Sequence, residues 1–203
     1  MTRVGIIIGS TRPGRNGEAV GRWVQEVAHA HGGGEYELID LAAFDLPHLD
    51  EIVPAAAGQY ALQHTRRWAE TIRGLDAFVF VTPEYNHSMP GVLKTALDFV
   101  YAEWNHKAAG FVGYGADGGV RAVEQLRQVM AHLKVADVGP QVTLSLWTDF
   151  VNMNEFRPDA RHEATLATML DELLSWARAL RTVRTESVHN GTVRKEAVAE
   201  PVG

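Results

Sequence analysis

Near the amino terminus the chain reads Val4-Gly5-Ile6-Ile7-Ile8, then Gly9-Ser10-Thr11-Arg12-Pro13-Gly14-Arg15-Asn16-Gly17, then a segment with Ala19/Val20, Trp23/Val24 and Val27/Ala28. A β-branched run suits a strand, the glycine-rich polar segment suits a turn, and apolar pairs every three to four residues suit one helix face. Strand, turn and helix start in this order aim free backbone N–H groups and the positive end of a helix at one point. Ser10, Thr11 and Asn16 add neutral donors there, and Arg12 and Arg15 add positive charge suited to a phosphate.

The same alternation continues outward. Strand-like runs follow at Tyr36–Ile39, Ala77–Val81, Ala109–Tyr114 and Val142–Leu146. Apart from the Tyr36 run, the strands are apolar or small nearly throughout, as strands buried on both faces must be. Helical periods fill the gaps, at Tyr60–Ile72, Val92–Val100, Val123–Leu133 and Leu166–Leu180. Strands alternating with helices predict a doubly wound α/β domain with a parallel sheet, and its ligands belong outside the carboxyl ends of the strands. The period fails from Thr182, where Val183, Val188, Val193 and Val198 fall every fifth residue. One domain is therefore expected over 1–181, with a loosely ordered tail over 182–203.

Composition excludes several functions. At 203 residues the chain is long enough to bury a core without staples, and its cysteine count of 0 removes disulfides, zinc–thiolate sites and a cysteine nucleophile. No metal site is expected. Nineteen basic against 25 acidic residues, a net charge of −6, leave no surplus to neutralise nucleic-acid phosphates or an anionic membrane. Val4–Ile8 is too short for a signal-peptide core, and the charge-free stretch Ile52–Thr65 is interrupted by Pro54, Gln59, Gln63 and His64. A cytoplasmic protein is the expectation.

The first turn is a near miss to the nucleoside-triphosphatase motif. Arg15 stands where the phosphate-reaching lysine belongs, and Asn16 where the magnesium-ligating hydroxyl belongs. Such a loop suits a cofactor ending in a single phosphate. The loop after the third strand reads Thr82-Pro83-Glu84-Tyr85-Asn86-His87-Ser88-Met89-Pro90-Gly91. Ser88 is placed to cap the next helix and Pro90 to sit in its first turn. Tyr85 can lie against a planar ring, and Asn86 can bond a heterocycle edge. Glu84 lacks a partner carboxylate or histidine at a telling spacing for general acid work, and His87 reads as a surface or packing residue.

Gly9-Ser10-Thr11-Arg12 after the first strand, with Pro83-Glu84-Tyr85-Asn86 after the third, resembles the NADPH-dependent FMN reductase family. The resemblance extends through Lys94, Asp98 and Gly113–Arg121. It implies a flavodoxin-like five-stranded parallel sheet in the order 2-1-3-4-5, with non-covalent FMN. It also implies hydride transfer from NADPH or NADH to a small acceptor: a quinone, azo compound, metal oxyanion or free flavin. By matching position, Ser10, Arg12, Arg15, Asn16 and Gly17 would hold the phosphate, and Pro83, Glu84, Tyr85 and Asn86 would line the isoalloxazine. The family also implies a homodimer or homotetramer packed through Val92–Trp104; the alternative is that Tyr101 and Trp104 cover the domain's own core. Gly113-Tyr114-Gly115-Ala116-Asp117-Gly118-Gly119 matches the spacing of a dinucleotide fingerprint, but Asp137, the acidic residue about twenty positions on, precedes its strand instead of ending it. Gly115, Gly118 and Gly119 are read instead as letting backbone approach the flavin edge, with Asp117 as a helix cap.

No catalytic side chain is expected, because hydride transfer is the cofactor's own chemistry. Two other functions stay open. A flavodoxin-type electron carrier would share the cofactor but show a concentrated acidic face, and a nucleotide-dependent regulator would use the first loop alone. The acceptor is not declared by the loops Asp45–Pro54 and Trp147–Pro158.

Overall fold

A computed structural model describes residues 1–198, with side chains through 186; the last five residues of the expected tail lie outside the described residues. The elements are β1 (Thr2–Ile8), α1 (Gly17–His31), β2 (Gly34–Asp40), α2 (Gln63–Arg73), β3 (Ala77–Pro83), α3 (Gly91–Asp98), β4 (Ala108–Gly115), α4 (Val120–His132), β5 (Ala136–Ser145), β6 (Phe150–Val151), β7 (Glu155–Phe156) and α5 (Arg161–Val198). The main sheet is parallel with the order β2-β1-β3-β4-β5, the flavodoxin-like arrangement. Because β2 lies on one side of β1 and β3 on the other, strand order reverses at the β1–β3 pair. That opens a crevice beyond Ile8 and Pro83.

Side-chain alternation divides the core in two. Along β3, Phe78 and Phe80 face a layer with Trp68, Ile72, Leu93, Leu97, Trp104 and Leu126, from α2, α3, α4 and the turn after α3. Ala77, Val79 and Val81 face Val20 and Val24 of α1 and Leu166, Met169 and Leu170 of α5. The two fully buried indoles keep their donors satisfied: Trp68 Nε1 donates to the Ala96 carbonyl at 2.7 Å and Trp104 Nε1 to that of Leu97 at 3.2 Å. Trp104 is 0% exposed, so it belongs to the domain's own core and drops out of any surface through which copies could pack. Tyr101 is half-buried against the same core.

The fifth strand corrects two expectations. It begins at Ala136, so Asp137 lies within it, paired in register with Ala109. It is also an edge strand, and Thr143 is exposed while Val142 and Leu144 are buried, so only one face is fully covered. Its early start was hidden by Gly139 and Pro140, which an edge strand with shifted register between Ala109 and Phe111 tolerates. The segment Trp147–Pro158 contains a two-stranded hairpin, β6 with β7, held by the buried Asp149. That carboxylate accepts from Ser145 N–H at 2.8 Å and pairs with His162 at 2.9 Å.

Helix α5 runs past Thr182 to Val198. Its apolar stripe ends near Leu180 because the helix there leaves the sheet, and polar anchors replace apolar ones. Arg181 and Arg184 both pair with Asp76, and Arg184 also donates to the His106 carbonyl at 2.7 Å. No described helix is long and apolar enough to cross a membrane.

At the opposite end of the sheet from the crevice, Lys107 is 4% exposed and its ammonium caps the last carbonyls of α2, Ile72 at 2.6 Å and Arg73 at 3.3 Å. Burial first, and then the neighbouring Arg184 charge, push its pKa down to about 7 from an ordinary 10.5. Between those values the unfolded chain binds the proton that the folded chain releases, so rising pH favours folding. Urea titrations from pH 7 to 9 should show stability climbing by up to about 1.4 kcal/mol per pH unit. In Lys107→Met that climb should vanish; equal slopes in the two proteins would contradict this account.

Candidate functional site

The loop after β1 is locked from below. Gly9 donates its N–H to the Val81 carbonyl at 2.8 Å, and Ser10, fully buried, shares a 2.8 Å hydrogen bond between its Oγ and the Tyr85 hydroxyl. The Arg12 N–H leans on the same Ser10 oxygen at 3.4 Å, and Arg15 N–H closes a turn on the Arg12 carbonyl at 3.1 Å. The Arg12 guanidinium is exposed and makes no ion pair among the described residues. α1 starts at Gly17 with Asn16 before it, and the Asn16 side chain makes no cap. Asn16 therefore leaves the first N–H groups of the helix without the N-cap side chain that usually covers one of them.

The two other residues expected on a phosphate are engaged elsewhere. Arg15 pairs with Asp40 at 2.6 Å and Glu18 at 2.8 Å, which neutralises its charge and ties the loop to the end of β2. Asn16 Nδ2 donates to the Met153 carbonyl in the β6–β7 turn at 2.8 Å. Both side chains thus brace the loop from behind. Gly17 is buried, and a Cβ there would come within 2.8 Å of the Tyr114 hydroxyl.

The loop after β3 is a tight reversal. Tyr85 and Ser88 exchange backbone hydrogen bonds at 2.9 and 3.1 Å around Asn86 and His87, whose φ values are 48° and 71°. Two consecutive left-handed residues are the mark of a type I′ turn, and asparagine tolerates that region better than most. Asn86 and His87 thus have a backbone role, and both are exposed. Ser88 does not cap α3: its hydroxyl donates to Gln125 Oε1 and so pins the turn to α4, while Pro90 occupies the N-cap position.

Glu84 is a tie between elements. Its carboxylate accepts from the Arg121 N–H at 3.0 Å and pairs with the Arg121 guanidinium, so it caps α4 from outside the helix. Asp117, expected in that role, sits beside the Arg121 side chain instead. Gly118 and Gly119, with φ near +70°, turn the chain away from it. The third loop folds onto itself: a Cβ on Gly113 would meet the Gly118 carbonyl oxygen at 2.7 Å, and one on Gly119 would meet Tyr114 N at 2.7 Å. These glycines are demanded by the loop's own backbone. Gly115 is buried as well, but a Cβ there would make only ordinary contacts, the nearest 3.5 Å from Gly119 N, so the loop does not demand glycine at that position.

Ser10, Arg12 and Tyr85 line a cavity of about 630 Å³ beside the start of α3. That is the size of a small-molecule site. Its remaining wall is Thr11, Leu46, Pro47, His48, Pro90, Gly91, Val92 and Thr95. Asp45–Pro54 therefore does contribute to the cavity wall, through Leu46–His48, whereas the hairpin segment packs behind the first loop near Arg15 and Trp23. Pro83, Glu84, Asn86, Gly115, Gly118 and Gly119 are not in the cavity wall. Thr95 was missed although a signal existed: it is a polar residue one turn into α3, opposite the buried Leu93, Ala96 and Leu97. Lys94 and Asp98 pair with each other at 2.7 Å along α3.

The architecture has known counterparts. The flavoenzyme NAD(P)H:(acceptor) oxidoreductase of Paracoccus denitrificans superposes with a TM-score of 0.68 at 24% identity, covering 88% of this chain and 98% of that one. An NAD(P)H-dependent FMN reductase of Schizosaccharomyces pombe is 40% identical over 143 residues, 68% of this chain and 72% of that protein. A quinone reductase of Pseudomonas putida is 29% identical over 192 residues, 89% and 97% of the two chains. The model of the NADPH-dependent FMN reductase family matches residues 2–149, which hold β1 to β5 and the loops after β1, β3 and β4. The chain belongs to the NADPH-dependent FMN reductase family.

Proposed function

We propose that this chain is an FMN-dependent NAD(P)H oxidoreductase acting on a small organic acceptor, with quinones the first class to test. The observation that carries the reading is the Ser10–Tyr85 hydrogen bond, which joins the anion-suited loop to the aromatic turn at one cavity. The residues fit a flavin mononucleotide. Arg12, the buried Ser10 and the N–H groups opening α1 would hold a phosphate, and Tyr85 would bound the ring. When bound, the flavin supplies hydride acceptance and donation.

The chain's own part is binding, orientation and exclusion of water. The cavity wall carries no carboxylate, its one histidine, His48, is exposed, and Glu84 is committed to Arg121, so no buried side chain is poised to move a proton. The acceptor would enter between Leu46–His48 and the lip formed by Val92, which is 40% exposed. We also place a homodimer contact on the exposed side of α3, with Trp104 excluded from it. Light scattering should give at least twice the chain mass, and a monomer would overturn that contact.

Stripped protein should take up FMN and then consume NADPH or NADH steadily when benzoquinone is present. Failure to take up FMN would remove the reading, and uptake without nucleotide consumption would favour an electron carrier. Arg12→Ala should weaken FMN binding about ten- to a hundredfold, the ~1.5–3 kcal/mol of hydrogen bonds to a charged group, with an unchanged circular dichroism spectrum. Glu84→Gln, assayed with saturating FMN, should keep turnover within several-fold and an unaltered pH profile. A loss above about a hundredfold, the scale of a general acid, would return Glu84 to proton transfer.

A further inference from the structure

Thr95 stands in the cavity wall on α3, half-buried, with Gly91 one turn before it and Val92 beside it on the same face of the helix. A helical side chain leans back over the preceding turn, here the turn of Gly91. Gly91 brings no side chain of its own, and a Cβ there would meet nothing within 4 Å, so the wall is open at that point. Around it the cavity is apolar, walled by Leu46, Pro47, Pro90 and Val92. Thr95 is the polar residue among the three that α3 contributes.

A threonine within a helix has a partner to hand, the carbonyl one turn back. The hydroxyls of Thr71, Thr165, Thr168 and Thr185 each donate to the carbonyl four residues earlier, at 3.0 to 3.3 Å. The Thr95 hydroxyl makes no such bond, nor any other among the described residues, and its oxygen is not sealed from the cavity. Small-molecule sites are mostly apolar, with a few polar groups that fix orientation. In the flavin reading Ser10 and Arg12 are given to the phosphate, which leaves the Thr95 donor on the side where the acceptor enters past Val92.

We propose that Thr95 determines the acceptor class: its O–H donates to a carbonyl oxygen of a quinone seated between Leu46 and Val92. The inference rests on the FMN reading and deepens it. In turnover the quinone gains a hydride, two electrons with one proton, that originates on NAD(P)H, and water supplies the second proton of the hydroquinone. Between those events one quinone oxygen is an anion, and a hydrogen bond to an anion is stronger than one to a neutral carbonyl. Thr95 therefore favours the developing anion over the bound quinone and lowers the barrier. It keeps its own proton throughout, so it leaves the pH profile unchanged.

The test uses FMN-loaded wild type, Thr95→Val and Thr95→Ser with NADPH and one of two acceptors. Benzoquinone offers carbonyl oxygens; hexaammineruthenium(III), a one-electron acceptor, offers no lone pair to a donor. Thr95→Val keeps the side-chain shape and removes the hydroxyl. Its kcat/KM for benzoquinone should fall about tenfold, the scale of one hydrogen bond to a charged group, while ruthenium turnover and FMN affinity stay within about twofold. Thr95→Ser, which keeps the hydroxyl, should recover most of the loss. An unchanged rate with benzoquinone, equal falls with both acceptors, a parallel loss of FMN affinity, or no recovery with serine would each overturn the role of Thr95 while leaving the FMN reading intact. So would a wild type that reduces ruthenium but not benzoquinone. A wild type that takes up no FMN, or oxidises NADPH with neither acceptor, would overturn that reading and this inference with it.

Discussion

A single hydrogen bond between two side chains, Ser10 Oγ with Tyr85 Oη at 2.8 Å, couples the loops that leave β1 and β3. The strands are neighbours because the order reverses between them, and the reversal leaves the crevice that the two loops share. Ser10 is wholly buried, so the bond is made in a low-dielectric setting where losing one partner is costly. The geometry of the cavity follows from it: if either loop shifts, the anion-suited turn and the aromatic turn no longer face one space.

Around that bond the charges are sorted. Of the arginines in the first loop, Arg15 is spent on Asp40 and Glu18, and Arg12 alone stays open to solvent. Arg121 is spent on Glu84 and Asp117, which fastens the second loop to the start of α4. These pairs brace the rim and leave little ionisable chemistry inside it. Such a site suits a cofactor that brings its own reactivity, with the protein supplying place and orientation.

Much of the fold could be read from residue order. The β-branched runs at Val4–Ile8 and Ala77–Val81 fall inside strands, because a strand buried on both faces has no alternative composition. The loops carrying Ser10, Arg12 and Tyr85 were identifiable for the same reason, each being a break between unmistakable elements. What could not be read was which way a side chain turns when its partner is remote. Arg15 meets Asp40 after 25 positions, Asn16 meets Met153 after 137, and Glu84 meets Arg121 after 37. Periodicity is local and carries no record of such pairs. The hairpin of β6 and β7 escaped notice because each strand has only two residues. Helix α5 continues past the apolar stripe that ends near Leu180, where Arg181 and Arg184 tie it to Asp76 instead.

On the proposed function, one ligand bridges the loops after β1 and β3. Hydrogen–deuterium exchange with peptide resolution tests it directly, by comparing the stripped protein with and without FMN. Slower exchange should appear together in residues 9–17 and 83–91, while the peptides of the β6–β7 hairpin stay unchanged. Protection confined to one of those loops, or absent from both, would contradict the claim.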